Sequence, residues 1–205
     1  VTHIPWAPGW YTAGAQDNGT STGNVSVAAN WTRDRGGDGF TAIYHPTDPA
    51  LRYAGYQWGN WRFSLTGPDE EPLWNDFTYG IEEEDRVWWD APLIYHPSYP
   101  DEMWTGSQRV YRMEDAPVGM WEPISEDLTY ATETGLSYRC ISALAGSHYD
   151  ADVVAGGISF SQALYVFQHL MDIGVRKRQW VFRADQTVYQ IMQAVSFIDD
   201  HLRVI

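Results

Sequence analysis

Short apolar runs, each stopped by a turn, organise most of the chain. Phe40–Tyr44 is apolar and β-rich and ends at His45-Pro46-Thr47-Asp48-Pro49, where two prolines in five residues stop any regular element. Tyr53–Gln57 predicts the next strand, broken at Gly59. Asn60–Leu65 predicts a third, broken at Thr66-Gly67-Pro68, and Trp74 opens a fourth. The same order follows in Leu93–Tyr95, Met103–Gln108, Val110–Met113 and Trp121, and Ile141–Ala145 predicts one strand more. None of these stretches has a helical period. Between Ser159 and Arg183 the pattern is mixed. Leu164, Phe167, Leu170 and Met171 have helix-like spacing, yet Leu164–Phe167 falls where a strand is due, and the strand is the preferred reading. Thr187–Gln193 carries the same ambiguity.

The runs repeat. Ile43-Tyr44-His45-Pro46 returns as Ile94-Tyr95-His96-Pro97, 51 residues later, and the same step carries Pro49 onto Pro100 and Gly55 onto Gly106. Gly156 lies 50 residues beyond Gly106, and Leu202-Arg203 aligns with Leu51-Arg52 at an offset of 151. Ala13-Gly14-Ala15-Gln16 matches Ala54-Gly55-Tyr56-Gln57, and Gly106-Ser107-Gln108 repeats its core. Four strands per unit of about 50 residues predict an all-β chain folded as a β-propeller. About four to four and a half blades are expected in a single region, over 1–39, 40–90, 91–139, 140–190 and a partial 191–205. A β-sandwich competes, but it has no reason to hold such a period. Val1–Trp6 and Gln193–Ile205 both read as first strands, so a longer ring, or one completed by another chain, is expected.

Several strings carry a family likeness: Ala13-Gly14-Ala15-Gln16-Asp17-Asn18-Gly19-Thr20, Gly36-Gly37-Asp38-Gly39-Phe40, Gly106–Arg112, and Trp121-Glu122-Pro123-Ile124-Ser125-Glu126-Asp127-Leu128-Thr129. Through them the chain resembles the bacterial β-propeller proteins with BNR or Asp-box repeats, the superfamily of sortilin-type and sialidase-like chains. The Asp-box copies are degenerate. Met113-Glu114-Asp115 lacks the Ser, Ser64-Leu65-Thr66 lacks the Asp, and in Asp172-Ile173-Gly174 the following Trp180 comes late. In that family the box is a structural turn whose Trp packs between blades, so the resemblance implies a fold and not a reaction.

Composition narrows the function. Thirteen Lys and Arg against 27 Asp and Glu give a formal charge of −14, which argues against a nucleic-acid partner. The single cysteine, Cys140, excludes an internal disulfide and a Cys-rich zinc site, and its place before an apolar strand makes it a buried structural thiol. No apolar run approaches the ~18 residues that span a bilayer. His45, His96 and His148 sit in or near the repeated turn, one unit apart, so they read as turn or capping residues and not as ligands of one metal. The runs Asp69-Glu70-Glu71 and Glu82-Glu83-Glu84-Asp85 read as solvated loops. No cofactor is expected.

Two kinds of site remain. Glycoside hydrolysis needs two carboxylates about 5 to 9.5 Å apart, and Asp17 and Asp38 are the candidates. The turn around Asp17 is similar in placement to the aspartate turn of xyloglucan-degrading two-propeller enzymes. Both aspartates equally suit turns, where Asp bonds nearby backbone. Aromatic rings are the other signal, with Trp58, Trp88, Trp89 and Trp104 as candidate binding residues. Trp88 and Trp89, if on one strand, point to opposite faces, which makes one an interface anchor. The first expectation is a non-catalytic, extracytoplasmic propeller (periplasmic, cell-surface or secreted) that binds other protein chains as a scaffold subunit. The alternative is a secreted glycoside hydrolase or carbohydrate-binding propeller using Asp17 and Asp38.

Overall fold

A computed structural model describes residues 1–27, 31–129, 140–151, 153–158 and 180–182. The chain is all-β, with no α-helix among the described residues. Its strands are β1 (Thr2–His3), β2 (Trp10–Ala15), β3 (Gly19–Asn24), β4 (Trp31–Arg35), β5 (Ala42–Tyr44), β6 (Leu51–Ala54), β7 (Arg62–Leu65), β8 (Asn75–Asp76), β9 (Leu93–Tyr95), β10 (Met103–Gly106), β11 (Val110–Met113), β12 (Glu122–Pro123), β13 (Ile141–Gly146), β14 (Val154–Ile158) and β15 (Trp180–Phe182). Consecutive strands pair into small sheets: β1 to β4, β5 to β8, β9 to β12, and β13 to β15. The first three sheets are antiparallel throughout. In the fourth, β15 runs parallel to β14, a departure from the regular four-stranded unit expected there. No helix among the described residues is long and apolar enough to cross a membrane. The reading of 187–193, most of 159–183 and the partial unit at 191–205 lie outside the described residues.

The 51-residue step is a step between equivalent ladder positions. Ala42, Ile43 and Tyr44 pair with Ala54, Tyr53 and Arg52, and Leu93, Ile94 and Tyr95 pair with Thr105, Trp104 and Met103. The turn between the first two strands repeats as well. His45 Nδ1 accepts the backbone N–H groups of Thr47 (3.2 Å) and Asp48 (2.9 Å), and His96 Nδ1 accepts those of Ser98 (2.9 Å) and Tyr99 (3.0 Å). With Nδ1 accepting, each ring keeps its proton on Nε2. That proton reaches the following sheet's turn: His45 donates to Asp101 Oδ1 (3.1 Å) and His96 to the Ala151 carbonyl (2.9 Å). In the fourth sheet the cap is Ser147, whose Oγ accepts from Tyr149 and Asp150 at 3.1 Å, while His148 is exposed. The expectation thus holds for His45 and His96. His148 lies in the turn as well, but there the capping is done by the adjacent Ser147, whose short hydroxyl accepts the two turn amides.

The sheets stack face on face. β5 packs on β1 and β2, and β13 packs on β9 and β10. Between the second and third sheets lies an aromatic core of Tyr53, Trp61, Phe77, Met103, Tyr111 and Trp121. Between the third and fourth lies a smaller one around Trp104, Val110, Ile141 and Leu144. Both faces of β10 are therefore covered, with Met103 toward one core and Trp104 toward the other, and all four of its residues are buried. Trp121 Nε1 donates to the Phe77 carbonyl (2.8 Å) and Trp74 Nε1 to the Asp34 carbonyl (3.0 Å), so both tryptophans tie a sheet to the one before it. The first strands of all four sheets, β1, β5, β9 and β13, line one cavity of about 900 Å³.

Candidate functional site

In an antiparallel sheet alternate strands end on the same side. The turns after β2, β6 and β10 therefore lie at the same end of their sheets as the connections leaving β4, β8 and β12. Most of the candidate residues gather there. Asp38, in the connection from β4 to β5, is buried; its Oδ1 accepts the Asp17 backbone N–H (2.6 Å) and its Oδ2 the Gln57 side-chain amide (2.5 Å). Asp17 itself is exposed, with φ 64° at the tip of the β2–β3 turn. The structure brings the two residues together through backbone, with the Asp38 carboxylate closing the Asp17 turn.

Asp85 repeats this arrangement one sheet on. Its side chain is buried and accepts from Tyr111 OH (2.6 Å), Ser107 Oγ (2.7 Å) and Gln108 Nε2 (2.5 Å), with Arg109 Nε at 3.5 Å. Gln108 Oε1 accepts the Arg86 backbone N–H (2.6 Å), and the Arg86 guanidinium reaches Asp127 Oδ2 (2.8 Å) and Thr129 Oγ1 (2.8 Å). Gln57 and Gln108, 51 residues apart, do the same work on Asp38 and Asp85. Burial pushes the Tyr111 hydroxyl up to about 12, and its hydrogen bond to Asp85 adds to this. Asp127 goes the other way. Burial alone would raise it, but hydrogen bonds from Arg86 and Thr129 hold it below the usual carboxylate range. Sequence reasoning placed Asp85 in a solvated acidic run. Glu82, Glu83 and Glu84 are exposed, but Asp85 is the acceptor for the next sheet's turn. No fixed spacing marks it, since Asp38 lies 19 residues before Gln57 and Asp85 lies 23 before Gln108.

The tryptophans separate into two kinds. Trp104 is buried in the core, with its indole N–H on Glu102 Oε1 (2.7 Å) and its ring edge-on to His96. Trp88 and Trp89 lie in the irregular connection between β8 and β9, so the strand alternation expected of them does not apply; both are half-buried. Trp89 packs edge-on against Phe40 (5.9 Å between ring centroids) and Trp58 (4.9 Å). Trp58 is 52% exposed.

Trp58 stands on an unusual backbone. It lies in a single 3₁₀ turn (Gln57–Gly59) with φ 60° and ψ 39°, a conformation costly for a bulky side chain. Its N–H donates to the Trp89 carbonyl (3.1 Å), which ties the turn to the β8–β9 connection. Gly59 follows at φ 65°, where a Cβ would sit 2.7 Å from Val87 Cγ1. Tyr56 is fixed from behind. Its ring lies where a Cβ on Gly37 would fall, and the Arg35 guanidinium stacks on it at 5.0 Å. Burial, then the neighbouring Arg62, pulls Arg35 down to about 10. Tyr56, Trp58 and Trp89, together with Glu82, Glu83 and Asp85, line a groove of about 820 Å³. An aromatic wall facing carboxylates binds through stacking, hydrogen bonding and charge.

Cys140 is buried, and burial raises its thiol to about 11, which favours the protonated form at neutral pH. No family model and no curated protein matches the chain.

Proposed function

We propose that this chain is a non-catalytic β-propeller module that binds a partner in the groove walled by Tyr56, Trp58 and Trp89. One observation carries the reading. At the end of the sheets where the candidate groups collect, Asp38 is closed on turns of the sheets before and after it and Asp85 on the turn of the following sheet, while the Trp58 ring is left open. A general acid or a nucleophile must face substrate, whereas these carboxylates face N–H and O–H donors of their own chain. The radial reading of the sheets rests on their consecutive order and on the cavity that β1, β5, β9 and β13 share. The BNR-type resemblance and an extracytoplasmic scaffold role belong to the same proposal, on the strength of the sequence strings and the acidic, cysteine-poor composition.

The test pairs turnover with binding. The full chain, Trp58→Gly and Asp38→Asn are screened for hydrolysis of an oligosaccharide panel and for binding to arrays of defined glycans and peptides. The expected result is no turnover, and binding that Trp58→Gly weakens. Turnover abolished by Asp38→Asn would replace this reading with the glycoside-hydrolase one.

A further inference from the structure

We infer that the groove takes an arginine or lysine side chain from a basic peptide segment of a partner protein. This deepens the proposed function and rests on the groove being the binding site. Charge is the first argument. Three carboxylates, Glu82, Glu83 and Asp85, line the groove, and no described lysine, arginine or histidine does. Nearby cations have other engagements. Arg35 bonds the Ala54 and Asn60 carbonyls, Arg62 pairs with Asp76, and Arg86 reaches Asp127 and Thr129. Arg109 stands beside Asp85, which also accepts three hydrogen bonds, so the uncompensated charge is that of the exposed Glu82 and Glu83. An incoming cation relieves their mutual repulsion, and a neutral sugar does not.

Ring geometry is the second argument. Trp58 and Trp89 meet at 85°, which makes a corner whose outer wall is the half-exposed Trp58. A guanidinium or ammonium over an indole face is attracted by the ring quadrupole, while its aliphatic stem covers the apolar floor at Ile81 and Val87. Arginine fits better than lysine, because its planar head both stacks and forks to carboxylates. The cavity has room for the residues on either side of the anchoring one.

The experiment titrates the full chain with a capped peptide of arginines spaced by glycines, and with the same peptide carrying neutral citrulline for arginine. Tryptophan fluorescence reports binding. The arginine peptide is expected to bind, and the citrulline peptide to bind about tenfold more weakly or worse. Trp58→Gly is expected to weaken the arginine peptide about fivefold, the loss of one exposed cation–π contact. Glycine suits the left-handed position, so this variant keeps its fold. Glu82→Gln with Glu83→Gln is expected to weaken it about threefold to tenfold, and raising the salt does the same. Equal binding of both peptides, still weakened in Trp58→Gly, overturns the cationic ligand and leaves the groove standing. So does binding of a neutral probe, cellohexaose, in preference to arginine. Arginine binding indifferent to Trp58→Gly overturns the groove together with the ligand.

Discussion

The interface between the first and second sheets and the interface between the second and third are built from opposite chemistry. In the first, Thr12, Thr22 and Asp34 face Tyr44, Arg52 and Ser64. The Arg52–Asp34 ion pair (3.3 Å) is 2% and 4% exposed, and Thr22 Oγ1 also donates to Asp34. Arg52 further donates to Tyr44 OH (2.7 Å), Thr66 Oγ1 (2.9 Å) and the Glu70 carbonyl (2.8 Å). In the second interface Leu51, Tyr53 and Trp61 meet Met103, Tyr111 and Trp121 in one buried apolar cluster, with Trp121 edge-on to Phe77 and Tyr53 tilted against it. Both surfaces of the second sheet come from one alternating strand: in β6, Leu51 and Tyr53 face one way and Arg52 the other. A sheet buried on both faces can thus be apolar on one and ionic on the other, even though Arg52 Nε and Trp61 Nε1 are left buried without a hydrogen-bond partner.

The polar interface is the one that breaks hardest when half of it is removed. Arg52→Ala leaves Asp34 buried without its cation and is expected to cost about 4 kcal/mol in urea unfolding. Arg52→Met combined with Asp34→Leu is expected to recover most of that loss. A double variant as unstable as the single one would show that the remaining polar contacts of this interface, and not the ion pair, carry its stability.

Trp121→Ala is the matching cut in the apolar interface. It leaves a cavity against Phe77 and is expected to cost about 3 kcal/mol in the same measurement. Smaller still is the loss of a turn cap. His96→Ala strips the acceptor from the Ser98 and Tyr99 amides and is expected to cost about 2 kcal/mol, with faster hydrogen exchange at those two amides as the specific readout. The pH dependence is the finest probe. Tyr111 titrates above its ordinary range when folded, so the stability it adds is complete below pH 10 and is lost as pH rises through about 12. Tyr111→Phe is expected to flatten that alkaline decline. Asp127 has the opposite sign: its contribution holds above pH 3.8 and disappears as acid protonates the carboxyl, so Asp127→Asn is expected to flatten the acid arm of a stability profile.

Much of the fold was legible from local chemistry. Leu93–Tyr95 and Val110–Met113 are the strands that the apolar runs and turn residues mark out, and Ile141–Ala145 forms one residue longer. The site was less so. Asp17 and Asp38 were visible as turn aspartates, but that one closes on the other's backbone depends on how the β4–β5 connection crosses the β2–β3 turn. Asp85 hid inside a run of acids because charge runs are usually solvated, and only the arrival of Tyr111, Ser107 and Gln108 makes it a buried acceptor. Trp58 and Trp104 look alike as letters, yet one is half-exposed and the other sealed between two sheets.

By itself the sequence determined which apolar runs of the second and third sheets form strands, the 51-residue step that brings equivalent residues to equivalent ladder positions, and the turns that divide them. Those features depend on neighbours along the chain, through proline, glycine and the two-residue period of a strand. Strand ends were decided by pairing, which puts the strand read at Tyr53–Gln57 at Leu51–Ala54 and Gln57 in a 3₁₀ turn. Which face of a strand is polar and still buried was decided only by the sheets' stacking, as with Arg52 and Asp34. So was the corner of Trp58 and Trp89 beside Glu82 and Glu83, because those residues meet across separate loops and their environment is set by what the whole chain places opposite them.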